Sequence, residues 1–289
     1  VRLIAPFAPG TVVDVFARVI GQWLSERLGQ PFIVENRAGA AGNIGTEAVV
    51  RSPPDGYTLL MIGGSNAVSA SLYDLKFNFI RDIVPIASTH RGPYCLVVHP
   101  SFPAKSVPEL IAYAKANPGK VTVASGGMGT PQHLNGELFK RTVGIDMLHV
   151  PYKDGGLPDL LSGEVQVMIN TLSTLIELIR AGKIRALAVT SAKRSEMLPD
   201  IPTVAESVPG YEAASWQGVG APRNTPAEVI DKLNSEINTG LVSDARIKAR
   251  IAESGGTVFA TSPVELEKFI AEETDRWAKV IRAANIKAQ

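Results

Sequence analysis

Residues Leu3–Leu28 read LIAPFAPGTVVDVFARVIGQWLSERL, and residues Val121–Val143 read VTVASGGMGTPQHLNGELFKRTV. Each stretch opens on an apolar run of strand length, breaks at a glycine- or proline-rich loop, and continues with helical periodicity. In the first, Leu3–Ala5 is the strand and Pro6–Gly10 the loop. Val13, Phe16, Ala17, Ile20, Trp23, Leu24 and Leu28 then fall on one helix face, with Gly29 as its stop. In the second, Val121–Ala124 is the strand, Ser125–Thr130 the loop and Pro131–Val143 the helix, ended by Gly144. Thr11 and Thr130 hold the same place, between loop and helix.

Both units continue alike. After the first come a strand at Pro31–Glu35, a helix at Gly45–Arg51 and a strand at Tyr57–Ile62. After the second come a strand at Met147–Val150, a short helix at Pro158–Leu161 and a strand at Val165–Ile169. Strands alternating with helices imply mostly parallel sheets, so two similar α/β lobes are expected. The chain crosses between them near Val97–Pro100 and Gly218–Pro222, which makes 1–98 with 219–289 one lobe and 99–218 the other. The last third reads as helical, with helices near Thr225–Asn238 and Ser262–Ala284. Thr225–Glu228 and Ser262–Glu265 are capping boxes with proline at the first helical position, and Ser106–Glu109 is a third box.

The 289 residues suit two domains, and 45% hydrophobic content supports a sizeable core. Lysine plus arginine total 29 against 28 acidic residues, a net charge of +1, which argues against nucleic acid or an anionic membrane as partner. Cys95 is the single cysteine, and the four histidines show no metal-ligand spacing, so no disulfide, metal or cofactor is expected. Every apolar run falls short of the ~20 residues that span a bilayer. The start at Val1, without a basic leader, reads as a processed or trimmed chain. Gly39–Gly45 lacks GxG spacing and reads as a tight strand-to-helix connection, while Cys95 reads as a buried strand residue.

Open α/β sheets bind ligands beyond the carboxyl ends of their strands. There the two loop-to-helix junctions offer unpaired N–H groups and the positive ends of helix dipoles, which favour an anion, most simply a carboxylate. Neither loop carries lysine or arginine. Amides, hydroxyls and ordered water are therefore expected to hold the anion. Thr11 and Thr130 are helix caps first, with Asp14 completing an acidic box. His133 is a local bond partner placed beside the glycine-rich loop.

Several runs carry a family resemblance: Pro6–Gly10 with Asp14, Ala17 and Arg18; Leu24–Pro31; Val34–Gly45; Pro54–Leu60; His149–Lys153; Ala181–Thr190; and Pro202–Glu206. Together they resemble the substrate-binding proteins of tripartite tricarboxylate transporters, the Bug family. The resemblance implies a periplasmic receptor, monomeric and not membrane-embedded, with a two-lobed type II periplasmic-binding-protein fold. The lobes close on a small carboxylate in a central cleft and deliver it to membrane permease subunits, with no bond made or broken. The carboxylate is expected between the Phe7–Thr11 loop (Phe7, Ala8, Pro9, Thr11) and the loop of Gly127, Met128, Gly129 and Thr130, near His133. The far end is expected to meet the third-strand loop, with Ser65 and Asn66, and Trp216, with rotation near Val98 and Gly218.

Three departures from the family pattern stand out. Thr11 replaces a usual second glycine. The segment 154–158 is shorter than usual. Asn170 stands where many relatives carry an aspartate able to pair with an amine, so a ligand without a cationic amine is expected. Lys153 is a candidate partner for a second carboxylate, a solvated lysine being its commoner role. Two rival readings are a ligand sensor for a signalling partner and an enzyme on the same scaffold using His133 or Cys95.

Overall fold

The computed structural model describes residues 1–152 and 155–286, the side chain of Ala70 apart. Lys153 and Asp154, and with them the expectations for Lys153 and for the start of the 154–158 segment, lie outside the described residues. In chain order the elements are β1 (Arg2–Ala5), α1 (Val12–Leu28), β2 (Ile33–Asn36), α2 (Asn43–Val50), β3 (Thr58–Gly63), α3 (Gly64–Leu72), α4 (Phe79–Asp82), β4 (Ile83–Val98), α5 (Val107–Ala116), β5 (Thr122–Ser125), α6 (Pro131–Val143), β6 (Leu148–Pro151), α7 (Leu157–Ser162), β7 (Val167–Thr171), α8 (Leu172–Arg180), β8 (Arg185–Val189), β9 (Ala214–Pro222), α9 (Ala227–Ser243), α10 (Ala245–Glu253), β10 (Thr257–Val258) and α11 (Pro263–Ala283).

The chain forms two compact units. One comprises Val1–Arg91 with Trp216–Lys279, the other Gly92–Ser215 with the residues from Val280 onward. In the first unit, β1 lies between β2 and β3, parallel to both, with Leu3 opposite Val34 and Leu59. β9 joins β3 antiparallel, Val219 facing Met61, and β4 follows β9. The second unit repeats the plan: β5 lies between β6 and β7, parallel to both. β4 joins β7 antiparallel, and β8 pairs with its other edge.

The near-continuous apolar runs of these strands reflect burial on both faces. Successive side chains point to opposite faces. In the first unit, Leu59 and Met61 therefore pack with Phe16, Ile20 and Ile237, while Leu60 and Ile62 pack with Trp216, Leu266 and Ile270. In the second, Leu96 and Val123 meet Phe139 and Tyr211 on one face, while Cys95, Val97 and Met168 meet Leu172 and Leu175 on the other.

Three sequence expectations need correction. Thr225 does not cap α9: its hydroxyl donates to Pro222 O at 2.8 Å, closing the turn after β9, and the helix starts after Pro226. α9 extends to Ser243, and α10 follows it where no helix was expected. The boxes at Ser262 and Ser106 do cap their helices, with Glu265 N and Glu109 N donating to the serine hydroxyls. Val97 and Gly218 themselves lie in strands of sixteen and nine residues. There is no third-strand loop at Gly63–Asn66, because β3 passes directly into α3.

Candidate functional site

The loop after β1 is built around its own hydrogen bonds. The Thr11 hydroxyl donates to Ala8 O at 2.8 Å and accepts from Asp14 N, so Thr11 caps α1. Its φ of −70° is ordinary extended backbone, so this position needs no glycine. Asp14 reaches one residue beyond the expected box and accepts Gly10 N at 2.9 Å, because Thr11 N is already given to Ala8 O. Gly10 sits at φ +81°, a left-handed turn that a side chain would strain. Asp14 is buried, yet Arg18 Nη2 at 2.9 Å and Asn36 Nδ2 at 2.8 Å complete its shell. Burial pulls its carboxyl up, but the bonds from Arg18, Gly10 and Asn36 outweigh it and hold it below the usual range.

The loop after β5 has the same wiring. The Thr130 hydroxyl donates to Gly127 O at 2.8 Å and accepts from His133 N, capping α6. Gly129, at φ +75°, donates its N–H to His133 Nδ1 at 3.0 Å. His133 therefore occupies the place of Asp14. One helical turn on, Glu137 occupies the place of Arg18, with Oε1 3.9 Å from His133 Nε2 and 2.7 Å from Lys140 Nζ.

His133 stacks on His149 with ring centroids 3.9 Å apart. His149 Nε2 lies 2.6 Å from Ser125 Oγ, and that oxygen accepts Gly127 N at 3.1 Å. Burial, with Lys140 nearby, pulls His133 down to about 4. Burial, with His133 and Lys140 nearby, does the same for His149, also to about 4. Both are neutral at pH 7.

These internal bonds leave a short list of free donors. Among the described residues, Phe7 N and Ala8 N in the first loop and Gly126 N and Met128 N in the second have no partner. Pro9 has no N–H to offer. Phe7 is half-buried and Ala8 and Pro9 are exposed, while Gly127, Met128 and Thr130 are half-buried and Gly129 is buried.

The other expected residues divide between the two units. In the first, Asn66 is buried in the first turn of α3, where its Oδ1 accepts Gly63 N at 2.9 Å and its Nδ2 donates to Thr46 Oγ1 at 2.9 Å. Ser65 is half-buried. Trp216 is buried, edge-on to Phe269, and its Nε1 has no partner among the described residues. In the second unit, Asn170 Oδ1 accepts Thr171 N at 2.8 Å and Gln132 Nε2 at 3.3 Å. Sequence reasoning missed Ser125, His149 and Asn36. Asn36 and His149 brace a loop from the neighbouring strands β2 and β6, and Ser125 braces one from the last position of β5, the strand that enters it.

Two α/β units of matching strand order, with helix N-termini at the strand ends, define the two-lobed type II periplasmic-binding-protein fold. Residues 16–286 match the family described as the tripartite tricarboxylate transporter family receptor. Protein BugT of Bordetella pertussis is 41% identical over 99% of this chain and 90% of its own length. A Rhodopseudomonas palustris protein solved with adipate is 38% identical with a TM-score of 0.89, covering 99% of this chain and 97% of the other. MatC from the same organism, with bound malate, is 29% identical with a TM-score of 0.86 over 97% and 98%. The chain therefore belongs to the tripartite tricarboxylate transporter receptors, the Bug family.

Proposed function

We propose that the protein is a periplasmic receptor that captures a small carboxylate lacking a cationic amine and delivers it to its membrane permease. The observation that carries this reading is the hydrogen-bond economy of the two loops. Each consumes its other polar groups internally and leaves a few backbone amides unspent at a helix N-terminus. Unspent amides at the positive end of a helix suit an anion, and a carboxylate has acceptor sites for several of them.

In this reading Phe7 and Ala8 hold one side of the carboxylate, and Gly126 and Met128 the other, when the lobes close around β4 and β9. Thr11, Thr130 and His133 shape the loops without spending their donors on the ligand. Asn170 keeps an amide where an aspartate would attract an amine. The adipate and malate carried by two relatives agree with an amine-free acid. Closure and release involve no covalent step, which sets this reading apart from an enzyme.

Thermal unfolding across a broad carboxylate panel tests the proposal. Binding stabilises the native state by about 2.7 kcal/mol at a hundredfold excess over Kd, so the melting temperature rises with ligand concentration. Amine-free acids should shift it more than amino acids of equal chain length. The absence of a shift across the panel overturns the reading.

A further inference from the structure

We propose that the turn 39–42, between β2 and α2, is a positioning element for the first ligand loop. It holds Phe7, and with it the Phe7 and Ala8 amides, in the arrangement that receives the carboxylate. The inference rests on the receptor reading above and gives a task to residues that reading leaves unused.

The turn passes through four consecutive residues of positive φ: Gly39 at +132°, Ala40 at +46°, Ala41 at +54° and Gly42 at +92°. Glycine reaches such values freely, whereas an alanine there brings its Cβ against a carbonyl oxygen. Besides glycine, the other positive-φ residues among the described ones are Asn224 and Asn285, whose side chains can bond locally. Alanine has no such compensation. Ala40 is exposed, so burial of its methyl does not offset the cost either. What the two methyls do is restrict the backbone, since alanine has fewer conformations open to it than glycine. Left-handed residues of this kind persist where their surroundings over-determine them, typically beside functional sites.

Here the surroundings include the ligand loop. Gly42 N donates to Gly39 O at 2.9 Å, and the Thr46 hydroxyl donates to Gly42 O at 2.9 Å. Thr46 Oγ1 also accepts Asn66 Nδ2, which ties the end of the turn to α3. Gly42 packs directly on Phe7: a Cβ added there would meet Phe7 Cζ at 3.3 Å and Pro6 Cβ at 3.4 Å. A Cβ at Gly45 would meet Pro6 Cβ at 2.9 Å and Pro6 Cα at 3.0 Å. Asn36, the last residue of β2, holds the carbonyl of the same Phe7, donating its Nδ2 to Phe7 O at 3.0 Å. The ring and the carbonyl of Phe7 are thus both fixed by residues 36–45, while its N–H stays unspent. A loop ordered before binding loses less freedom when the carboxylate arrives, so stiffness behind Phe7 is returned as affinity.

The test joins isothermal titration of the full chain with adipate, malate, succinate, hexanoate and benzoate to backbone amide relaxation of the ligand-free protein by NMR. The double variant Ala40→Gly, Ala41→Gly relieves the strain and frees the turn. Its melting temperature should hold or rise, because steric relief offsets the freer unfolded chain. Its affinity for every acid that the unaltered protein binds should fall about fivefold. The order parameters of the Phe7 and Ala8 amides should drop from about 0.85 toward about 0.6. Gly42→Ala presses on the Phe7 ring and should lower affinity about tenfold. Adding Phe7→Leu, which removes the contacted ring edge, should recover all but about threefold of that loss. If Gly42→Ala does not fold, the double glycine variant decides alone. Unchanged affinity and order parameters in that variant, or a melting temperature that falls in step with affinity, overturn the proposal. Binding of none of the acids by the unaltered protein overturns the receptor reading, and the order parameters still decide whether the turn holds the loop.

Discussion

His133 should make the stability of the protein fall as the medium is acidified, and His133→Asn should remove that part of the fall. The ring is buried, and its Nδ1 already accepts the Gly129 N–H, so a proton there would face a donor. The group faces His149 in the stack, Glu137 one turn along α6 and Lys140 beyond it. Its folded value is about 4 against an ordinary 6.5. Between those values the unfolded chain takes up a proton that the native chain refuses, so stability drops as pH falls. The contribution is fully present above about pH 6.5 and lost by about pH 4. A single group gives about 1.4 kcal/mol per pH unit, or about 3 kcal/mol across the window.

His149 and His90, held down at about 4 and about 3 by burial, shift the same way in both proteins and largely cancel in the comparison. An asparagine oxygen can accept the Gly129 N–H without titrating, so the variant keeps the loop bond. Urea unfolding at pH 7, 6, 5 and 4.5 measures the effect. The slope of stability against pH should be shallower in the variant by up to one proton's worth. Equal slopes would show that His133 ionises in the native state as it does when unfolded, and would refute the reasoning.

Asp14→Ala should destabilise the protein by about 2–4 kcal/mol, because it leaves Gly10 N without its acceptor, Asn36 Nδ2 with Phe7 O alone and Arg18 without its carboxylate. Denaturant unfolding at pH 7 checks this, and a loss under about 0.5 kcal/mol would mean that water replaces the carboxylate freely. Cys95 is buried, and burial pushes its thiol up to about 12, so thiol reagents at pH 8 should leave it unmodified in the native protein and label it fully in denaturant. Rapid native labelling would show that β4 opens.

The strand–loop–helix units were legible because their signals are local. Pro6 and Gly10 break one apolar run, Gly126–Gly129 break the other, and the spacing from Val13 to Leu28 allows a helix alone. The caps at Thr11 and Thr130 followed from the same reasoning. What was lost depends on which partner wins a contested hydrogen bond. Thr225 looks like Ser262 in sequence, yet its hydroxyl turns back to Pro222 O once β9 brings that carbonyl within reach. Ser65 and Asn66 read as loop because two glycines precede them. Asn66 starts a helix there by accepting Gly63 N and tying itself to Thr46, a contact twenty residues away. His149 and Asn36 left no trace, since a polar residue on a strand gives no sign of the loop it will brace.

The two loops share one hydrogen-bond scheme at positions 119 residues apart, from Ala8 and Gly127 through Thr11 and Thr130 to Asp14 and His133. The side chains differ in charge, but each charged group beneath a loop is already neutralised: Asp14 by Arg18, and Glu137 by Lys140. Little net side-chain field remains to choose among anions. In the proposed reading the attraction comes from backbone amides and helix ends, which read a carboxylate and nothing else of the molecule attached to it. A receptor built as proposed would grip any acid by one end with similar strength. On the proposed reading its discrimination is supplied where the other end of the ligand lands.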